Sequence, residues 1–426
     1  MVKVAVVGGG WSGCAAALAA AKAGAEVSLF ERTDMLLGTG LVGGIFRNNG
    51  RYTAAEEAIQ LGAGELFALM DTYSRHRGID FPGHRHASLY DVTRMEEAVR
   101  ALLAQNGIEI KTETRIRDIE KFGGRITAVI DDRDVRYECD AYVDASGTAG
   151  PMGNCLRYGN GCAMCIMRCP SFGPRVSLAE RARVPERMSE KEDGSFGAMS
   201  GSCKIKKESL SPVVRARLEH DGVLVIPLPT AVRQQSKLGK KACSQYAIPA
   251  FADNLVVLDT GHAKIMTPYM NIDLLHQIEG FEQARYEDPY AGGRGNSMRY
   301  IGIASCGEDL RAEGVQNLFC AGEKSAPIVG HTEAVITGSL AGHNAVRCVL
   351  DMAYLVLPTT LAIGDFISFV HRRMKEEGGM KVRYTFSGSV YFERMKQREL
   401  YTTDTAVIQK RVEESGLVNV FDRCLV

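Results

Sequence analysis

Thirty residues near the start, VKVAVVGGGWSGCAAALAAAKAGAEVSLFE (residues 2–31), restrict the fold more than any other part of the chain. The β-branched run VKVAVV reads as a short buried strand, and GGGWSG follows it. CAAALAAAKAG reads as an alanine-rich helix ending at Gly24, and EVSLF as a second strand with Glu31 directly after it. The glycines at 8, 10 and 13 form G-x-G-x-x-G between strand and helix, with the acid eighteen residues beyond the last of them. Gly8 permits the tight turn, Gly10 lets the backbone approach a pyrophosphate, and Gly13 lets helix pack on strand. Amides at the helix N-terminus then face the phosphates, and Glu31 is placed to accept hydrogen bonds from ribose hydroxyls. Glycines serving only a tight turn would leave Glu31 unexplained.

Bulk properties leave room for this fold and exclude others. A chain of 426 residues is long enough for two or three domains and a large core. Its 51 Lys and Arg balance 51 Asp and Glu, so overall charge gives no argument for a polyanionic partner. The N-terminus runs straight into the first strand without a cationic leader, and CVLDMAYLVLP is too short to cross a bilayer and contains Asp351. No membrane and a reduced, cytoplasmic setting are the expectations. In that setting clustered cysteines hold metal more often than they form disulfides.

Three later stretches bear on the cofactor. DVTRMEEAVRALLAQNGIEIKTETRIRDIEKFGGRITAVI reads as a helix, a strand and a strand pair, with Arg115 and Ile116 entering that pair. AYVDASGTAG is a strand ending in Asp144, Ser146 and Gly147, and NLFCAGEKSAPIVGHTEAVITGSLAGHNAVR is a strand, a glycine-bearing loop and a long helix. This arrangement resembles the two-dinucleotide-binding-domain flavoproteins over residues 1–150 and 300–350. The resemblance implies FAD, with the DASG stretch, in place of an ATG-like triplet, returning near the cofactor and Glu323 near its ribityl and pyrophosphate region. It also implies a late helix whose positive end faces the flavin pyrimidine. The cofactor-binding candidates are Gly8, Gly10, Gly13, Glu31, Arg32, Arg115, Ile116, Ser146, Gly147, Gly322 and Glu323. A second complete G-x-G-x-x-G is absent, which argues against a dedicated NAD domain.

The tail AGEKSAPIVGHTEAVITGSLAGHNAVR, followed by LPTTLAIGDFISFV, is similar to flavoproteins that modify tRNA uridines: the folate-dependent tRNA uracil-5-methyltransferases and the GidA-type wobble-uridine enzymes. The front half departs from the methyltransferases, which carry a cysteine-bearing motif where this chain has ERTDMLLGTGLVGGIFRNNG. That stretch resembles the glycine-rich loop that broader FAD-dependent oxidoreductases place near the flavin. Flavin binding and architecture carry over; tRNA methylation does not.

CLRYGNGCAMCIMRCP (residues 155–170) holds four of the chain's twelve cysteines as C-x6-C-x2-C-x3-C-P. Its ending resembles part of a bacterial ferredoxin ligand run, and soft thiolates suit iron–sulfur clusters. A [4Fe–4S] cluster on Cys155, Cys162, Cys165 and Cys169 is the leading expectation, with Cys203 as an alternative fourth ligand. Structural zinc, or redox-active or merely packed thiols, remain the other readings.

The expected fold is α/β. A Rossmann-like FAD-binding domain (1–150 and 300–350) carries an inserted α+β cysteine-cluster and substrate domain (151–299) and a helical C-terminal region (351–426), the last a packing or dimerisation surface. His331, in VGHTEA at the start of the helix facing the flavin, is the candidate proton shuttle, against a histidine satisfied by backbone hydrogen bonds. Arg175, like Arg168, flanks the cysteines and would hold a carboxylate substrate or offset cluster charge; His262 is a weaker candidate. The basic stretches at Lys204, Lys206 and Lys207 and at Arg233, Lys237, Lys240 and Lys241 read as solvated loops, the alternative being phosphate or ferredoxin contacts. Without interleaved aromatics a nucleic-acid partner is not favoured. The leading function is an FAD and iron–sulfur oxidoreductase, passing electrons between a ferredoxin-like carrier, the cluster and flavin to a small organic substrate. An RNA (tRNA uridine) modifying flavoprotein and an electron-relay subunit are the alternatives.

Overall fold

The computed structural model describes residues 1–147, 169–190, 194, 198–199, 203–233, 235–240, 244–268, 270–287, 298–299 and 302–426. Five strands form a parallel sheet in the spatial order Leu318–Cys320, Ala141–Asp144, Lys3–Val7, Glu26–Phe30 and Glu109–Lys111. The first strand is central, and Val4, Ala5 and Val6 are fully buried, as a parallel strand covered on both faces requires. Val7 pairs with Phe30 on one side and Asp144 on the other, so three strands end level. Ligands of open α/β sheets bind at that carboxyl edge.

The helix Trp11–Lys22 is rich in alanine because it has no room for more. It packs on the long helix His331–Val349, where a Cβ on Gly338 would stand 2.2 Å from the Ser12 carbonyl oxygen. One on Gly342 would stand 2.1 Å from that of Ala16. Backbone meets backbone, and any side chain at these positions would push the two helices apart.

Antiparallel units are attached to this core. Ile116–Phe122, Arg125–Asp131 and Arg136–Glu138 form one three-stranded sheet, and Ile45–Phe46 joins the hairpin Ser74–Phe81 and His84–Tyr90 in another. The insert contributes a four-stranded sheet in the order Cys203–Ile205, Ala263–Ile265, Asn254–Asp259 and Val223–Pro227. Buried Asp259 ties it to the hairpin, accepting from Arg75 Nε at 2.9 Å, His76 Nε2 at 3.0 Å and Lys207 Nζ at 3.0 Å. Burial works against ionisation of Asp259, but the bonds from His76, Lys207 and Arg75 outweigh it and hold the carboxyl well below its usual range. Lys207 therefore does not belong to a solvated basic loop, as the run KIKKES suggests; it is buried and committed to this contact.

The C-terminal region is helical, with Ala362–Arg373, Ser389–Gln397 and Thr405–Glu414. The first of these lacks a side-chain cap of its own. Buried Glu57 supplies one from another helix, accepting from the Ala362 and Ile363 amides at 2.9 and 3.0 Å and from Arg411 at 3.0 Å. The Rossmann-like α/β expectation holds. Among the described residues no helix is long and apolar enough to cross a membrane.

Candidate functional site

A cavity of 360 Å³ opens where the parallel strands end. Of the eleven cofactor-binding candidates, ten line it; the exception is Gly13. Gly13 acts behind the wall, since a Cβ there would stand 1.7 Å from the Gly8 carbonyl oxygen, so helix and turn meet only through glycine. Gly8 has φ +106°, and its own Cβ would lie 2.4 Å from the Ala145 oxygen.

These residues fit a dinucleotide. Nothing lies within 4 Å of a Cβ built on Gly10, which leaves the turn open where a pyrophosphate would approach. No side chain caps the helix that starts beyond Gly10, so its first-turn amides are available to an anion. The Glu31 carboxylate is fixed by the Gly9 amide at 2.8 Å and the Thr33 amide at 2.9 Å. A carboxylate oxygen accepts more than one bond, so Glu31 can still receive ribose hydroxyls.

Arg32 and Arg115 line the cavity and brace a neighbouring segment. Arg32 Nη1 donates to the Gly173 oxygen at 2.5 Å and Arg115 Nε to the Pro174 oxygen at 2.8 Å, which sets Arg175 on the wall beside Gly147. Ser146 is turned back onto buried Asp144, to which its hydroxyl donates at 2.6 Å. Across the cavity, the Gly322 amide donates to Thr337 Oγ1 at 3.0 Å, which places partly buried Glu323 in the lining.

His331 begins the long helix, as expected from VGHTEA. Tyr90 donates its hydroxyl proton to the Gly40 carbonyl at 2.9 Å, so its oxygen accepts from His331 Nδ1 at 3.1 Å. Burial pushes the Tyr90 phenol well above its usual range, so it keeps its proton. The neutral His331 tautomer that results carries its proton on Nδ1 and has Nε2 as the basic atom. A Cβ on Gly43 would stand 1.9 Å from His331 Cε1, so the glycine-rich loop lies directly on the ring.

Several residues escape sequence reasoning, Arg51 and Lys264 in the lining and Glu333 and Lys204 outside it. Arg51 reaches buried Glu333 at 3.0 Å, and Glu333 also accepts from Thr385 Oγ1 at 2.7 Å and the Phe386 amide at 2.9 Å. Gly330, φ +146°, covers this pair, and a Cβ there would stand 1.9 Å from Glu333 Oε2. Lys204 and Lys264 face each other on paired strands of the insert. Lys204 Nζ donates to the Leu41 oxygen at 3.1 Å, while Lys264 Nζ donates to the Gly43 oxygen at 2.6 Å and also to that of Val42. Lys204 belongs to a basic run that reads as solvated, and Lys264 carries no sequence signal of its own. His262 is not in the lining; it pairs with Glu287 at 3.2 Å.

The family model described as glucose inhibited division protein A, GIDA, matches residues 3–225 and 256–353. The structure of Aquifex aeolicus GidA in its form II crystal is similar with a TM-score of 0.69 at 17% identity, covering 99% of this chain and 74% of that one. The form I crystal gives 0.62 at 15% identity, covering 97% and 78%. At such identities the likeness shows the fold. Fold and cavity together define an FAD-binding flavoprotein. The chain belongs to the GidA family.

This assignment corrects the leading functional expectation. The family matched is the GidA one that stands among the alternatives, not an iron–sulfur oxidoreductase fed by a ferredoxin-like carrier. Cys155, Cys162 and Cys165 lie outside the described residues, as does the side chain of Cys169, whose backbone starts the short helix Cys169–Phe172. Cys203, the alternative fourth ligand, is fully buried in the apolar core of the insert's sheet with Leu255, Val257 and Ile265. Among the described residues no group of three or more His, Cys, Asp or Glu could hold a metal ion.

Proposed function

We propose that the protein is an FAD-dependent enzyme that modifies uridine in tRNA. The observation that carries this reading is the family match across both halves of the Rossmann core, whose candidate cofactor residues converge on one cavity. The sequence resemblance of the tail to tRNA-uridine-modifying flavoproteins supports it. When bound, FAD supplies the redox chemistry of its isoalloxazine ring.

Each residue's proposed role follows from its position. Glu31 orients the adenosine ribose, and the Gly8–Gly10 turn and the first amides of the helix it opens hold the pyrophosphate. Gly13 keeps helix and turn in contact. Arg32 and Arg115 hold the 173–175 segment, Ile116 packs beside it, and Arg175 offers a guanidinium to an anionic group. Ser146, Gly147, Gly322 and Glu323 close the cavity around the cofactor's middle. His331 accepts or returns a proton at Nε2 while Tyr90 holds Nδ1. In domain terms, residues 1–150 and 300–350 form the FAD-binding unit, 151–299 the substrate unit and 351–426 the packing or homodimer unit.

The test compares tRNA nucleosides from cells lacking this chain with those from cells carrying it, by mass spectrometry, alongside extraction of the purified protein. FAD should extract from the protein, and one modified uridine should disappear without it. Bound FAD with an unchanged nucleoside profile would remove the tRNA reading and leave a flavoprotein acting elsewhere.

A further inference from the structure

Among the described residues, one acceptor in the cavity lining is left without a donor. Gln245 lines the cavity on the insert side and is 4% exposed, yet its Oε1 finds no hydrogen-bond donor. An unsatisfied buried carbonyl is costly and is normally matched by a partner. The position of Gln245 is also set with care. Burial pushes the pKa of His84 down to about 3, so its ring is neutral. Asn48 Nδ2 donates to His84 Nδ1 at 2.9 Å, which leaves the ring's proton on Nε2 to bond the main-chain carbonyl of Gln245 at 3.1 Å, not its side-chain Oε1. His84 also packs on Tyr246, ring centroids 4.8 Å apart, and Tyr246 lines the cavity next to Gln245.

We propose that the Gln245 carboxamide recognises the imide edge of a substrate pyrimidine, accepting from its N3–H at Oε1 and donating from Nε2 to a flanking carbonyl. A carboxamide pairs with such an edge through two parallel bonds, because it offers one acceptor beside one donor. Uracil has this edge and so does the pyrimidine ring of flavin. The substrate is the source the structure favours: the cofactor candidates come from residues 8–147 and 322–323, whereas Gln245 stands on the insert's wall beside Tyr246, Lys264 and Met266. This assignment rests on the uridine reading above and names the group that reads the base.

The experiment uses the FAD-loaded full chain and measures binding of uridine, of N3-methyluridine and of a tRNA anticodon stem-loop, by flavin fluorescence and calorimetry. The wild type should prefer uridine over N3-methyluridine on the order of tenfold, the worth of one well-placed hydrogen bond. Gln245→Leu should lose that preference and keep its FAD affinity and flavin spectrum. Gln245→Glu retains an acceptor but repels the flanking carbonyl, and should fall in between. A Gln245→Leu protein that still prefers uridine overturns the proposal. So does one that loses FAD affinity, because the amide then serves the flavin's own imide. Stem-loop binding that is insensitive to both changes removes Gln245 and leaves the tRNA reading standing. Uridine binding that depends on Gln245 without any stem-loop binding does the reverse.

Discussion

The cavity has two walls of opposite construction. On the Rossmann side the surface is backbone: Gly8 and Gly13 bring main chain against main chain with clearances that no side chain allows, and Gly10 leaves the turn open. On the insert side long side chains reach in from strands. Lys204 and Lys264 grip the carbonyls of the 41–43 loop, and Gln245 and Tyr246 stand on a short turn held by His84. A backbone wall is rigid and indifferent to what it meets beyond charge and shape. A side-chain wall can discriminate, and it is easier to alter one residue at a time. On the proposed function, cofactor binding belongs to the first and substrate choice to the second.

Arg51 is the sharpest place to break this division, because it puts a side-chain lock inside the backbone wall. It is 3% exposed and faces Glu333, which is fully buried at the start of the late helix. Arg51→Met leaves that carboxylate without its cation, and should cost about 3–5 kcal/mol in chemical denaturation. Arg51→Met with Glu333→Leu should recover part of the loss. If the single variant is as stable as wild type, the wall needs no ion pair to hold the helix start.

Gly13→Ala and Gly10→Ala separate packing from binding within one motif. At position 13 the new methyl meets the Gly8 oxygen 1.7 Å away, and backbone cannot step aside as a flexible side chain can. A loss of about 2–3 kcal/mol and weakened FAD binding are expected. At position 10 the methyl meets no protein atom within 4 Å. Stability there should stay within about 0.5 kcal/mol while FAD affinity falls, because the methyl takes the space a pyrophosphate needs. Equal loss of stability in both variants would make the glycines purely structural.

These contrasts explain how much of the molecule could be read in advance. The glycine spacing and Glu31 lie within one short stretch, and their geometry follows from local steric rules. Ser146 and Glu323 reach the cavity because each follows a strand that ends at the same edge, and His331 because it opens the helix after the second of them. The Arg51–Glu333 pair spans 282 residues, the Lys264–Gly43 contact 221 and the His84–Gln245 contact 161. No local pattern encodes such meetings, and KIKKES looks like any solvated basic run. The cysteine run misled in the opposite way: its spacing was vivid, but spacing alone does not say which chemistry the surrounding fold performs.

His84 gives the insert-side wall a pH dependence. Its native pKa of about 3 lies below the ordinary value near 6.5, so as pH falls through 6.5 the unfolded chain takes up a proton that the native chain refuses. Its contribution is complete above about pH 6.5 and is lost progressively toward pH 3, at about 1.4 kcal/mol per pH unit. His343 and His371, each lowered to about 4 by burial, add slope in the same direction from elsewhere in the fold. Urea unfolding at pH 7, 6 and 5 should show the decline, and His84→Gln should reduce its slope by about one proton. An unchanged slope would mean that His84 is protonated in the native state.

The smallest expected effect tests whether the two lysines work as one clamp. Lys204 and Lys264 are direct cross-strand neighbours, so their ammonium groups repel each other, and each is offset by loop carbonyls at the end of the short helix Gly40–Gly43. Removing either cation relieves the repulsion while leaving the other to hold the loop. Lys204→Met and Lys264→Met should each cost about 1 kcal/mol, less than an isolated charged hydrogen bond. The double variant should cost more than the sum, because the second removal frees the loop without relieving any repulsion. Hydrogen exchange at the amides of residues 40–44 should then rise sharply only in the double variant, with FAD release accelerated a few-fold. Simple additivity would show two independent contacts, and the side-chain wall would owe its hold on the loop to neither one in particular.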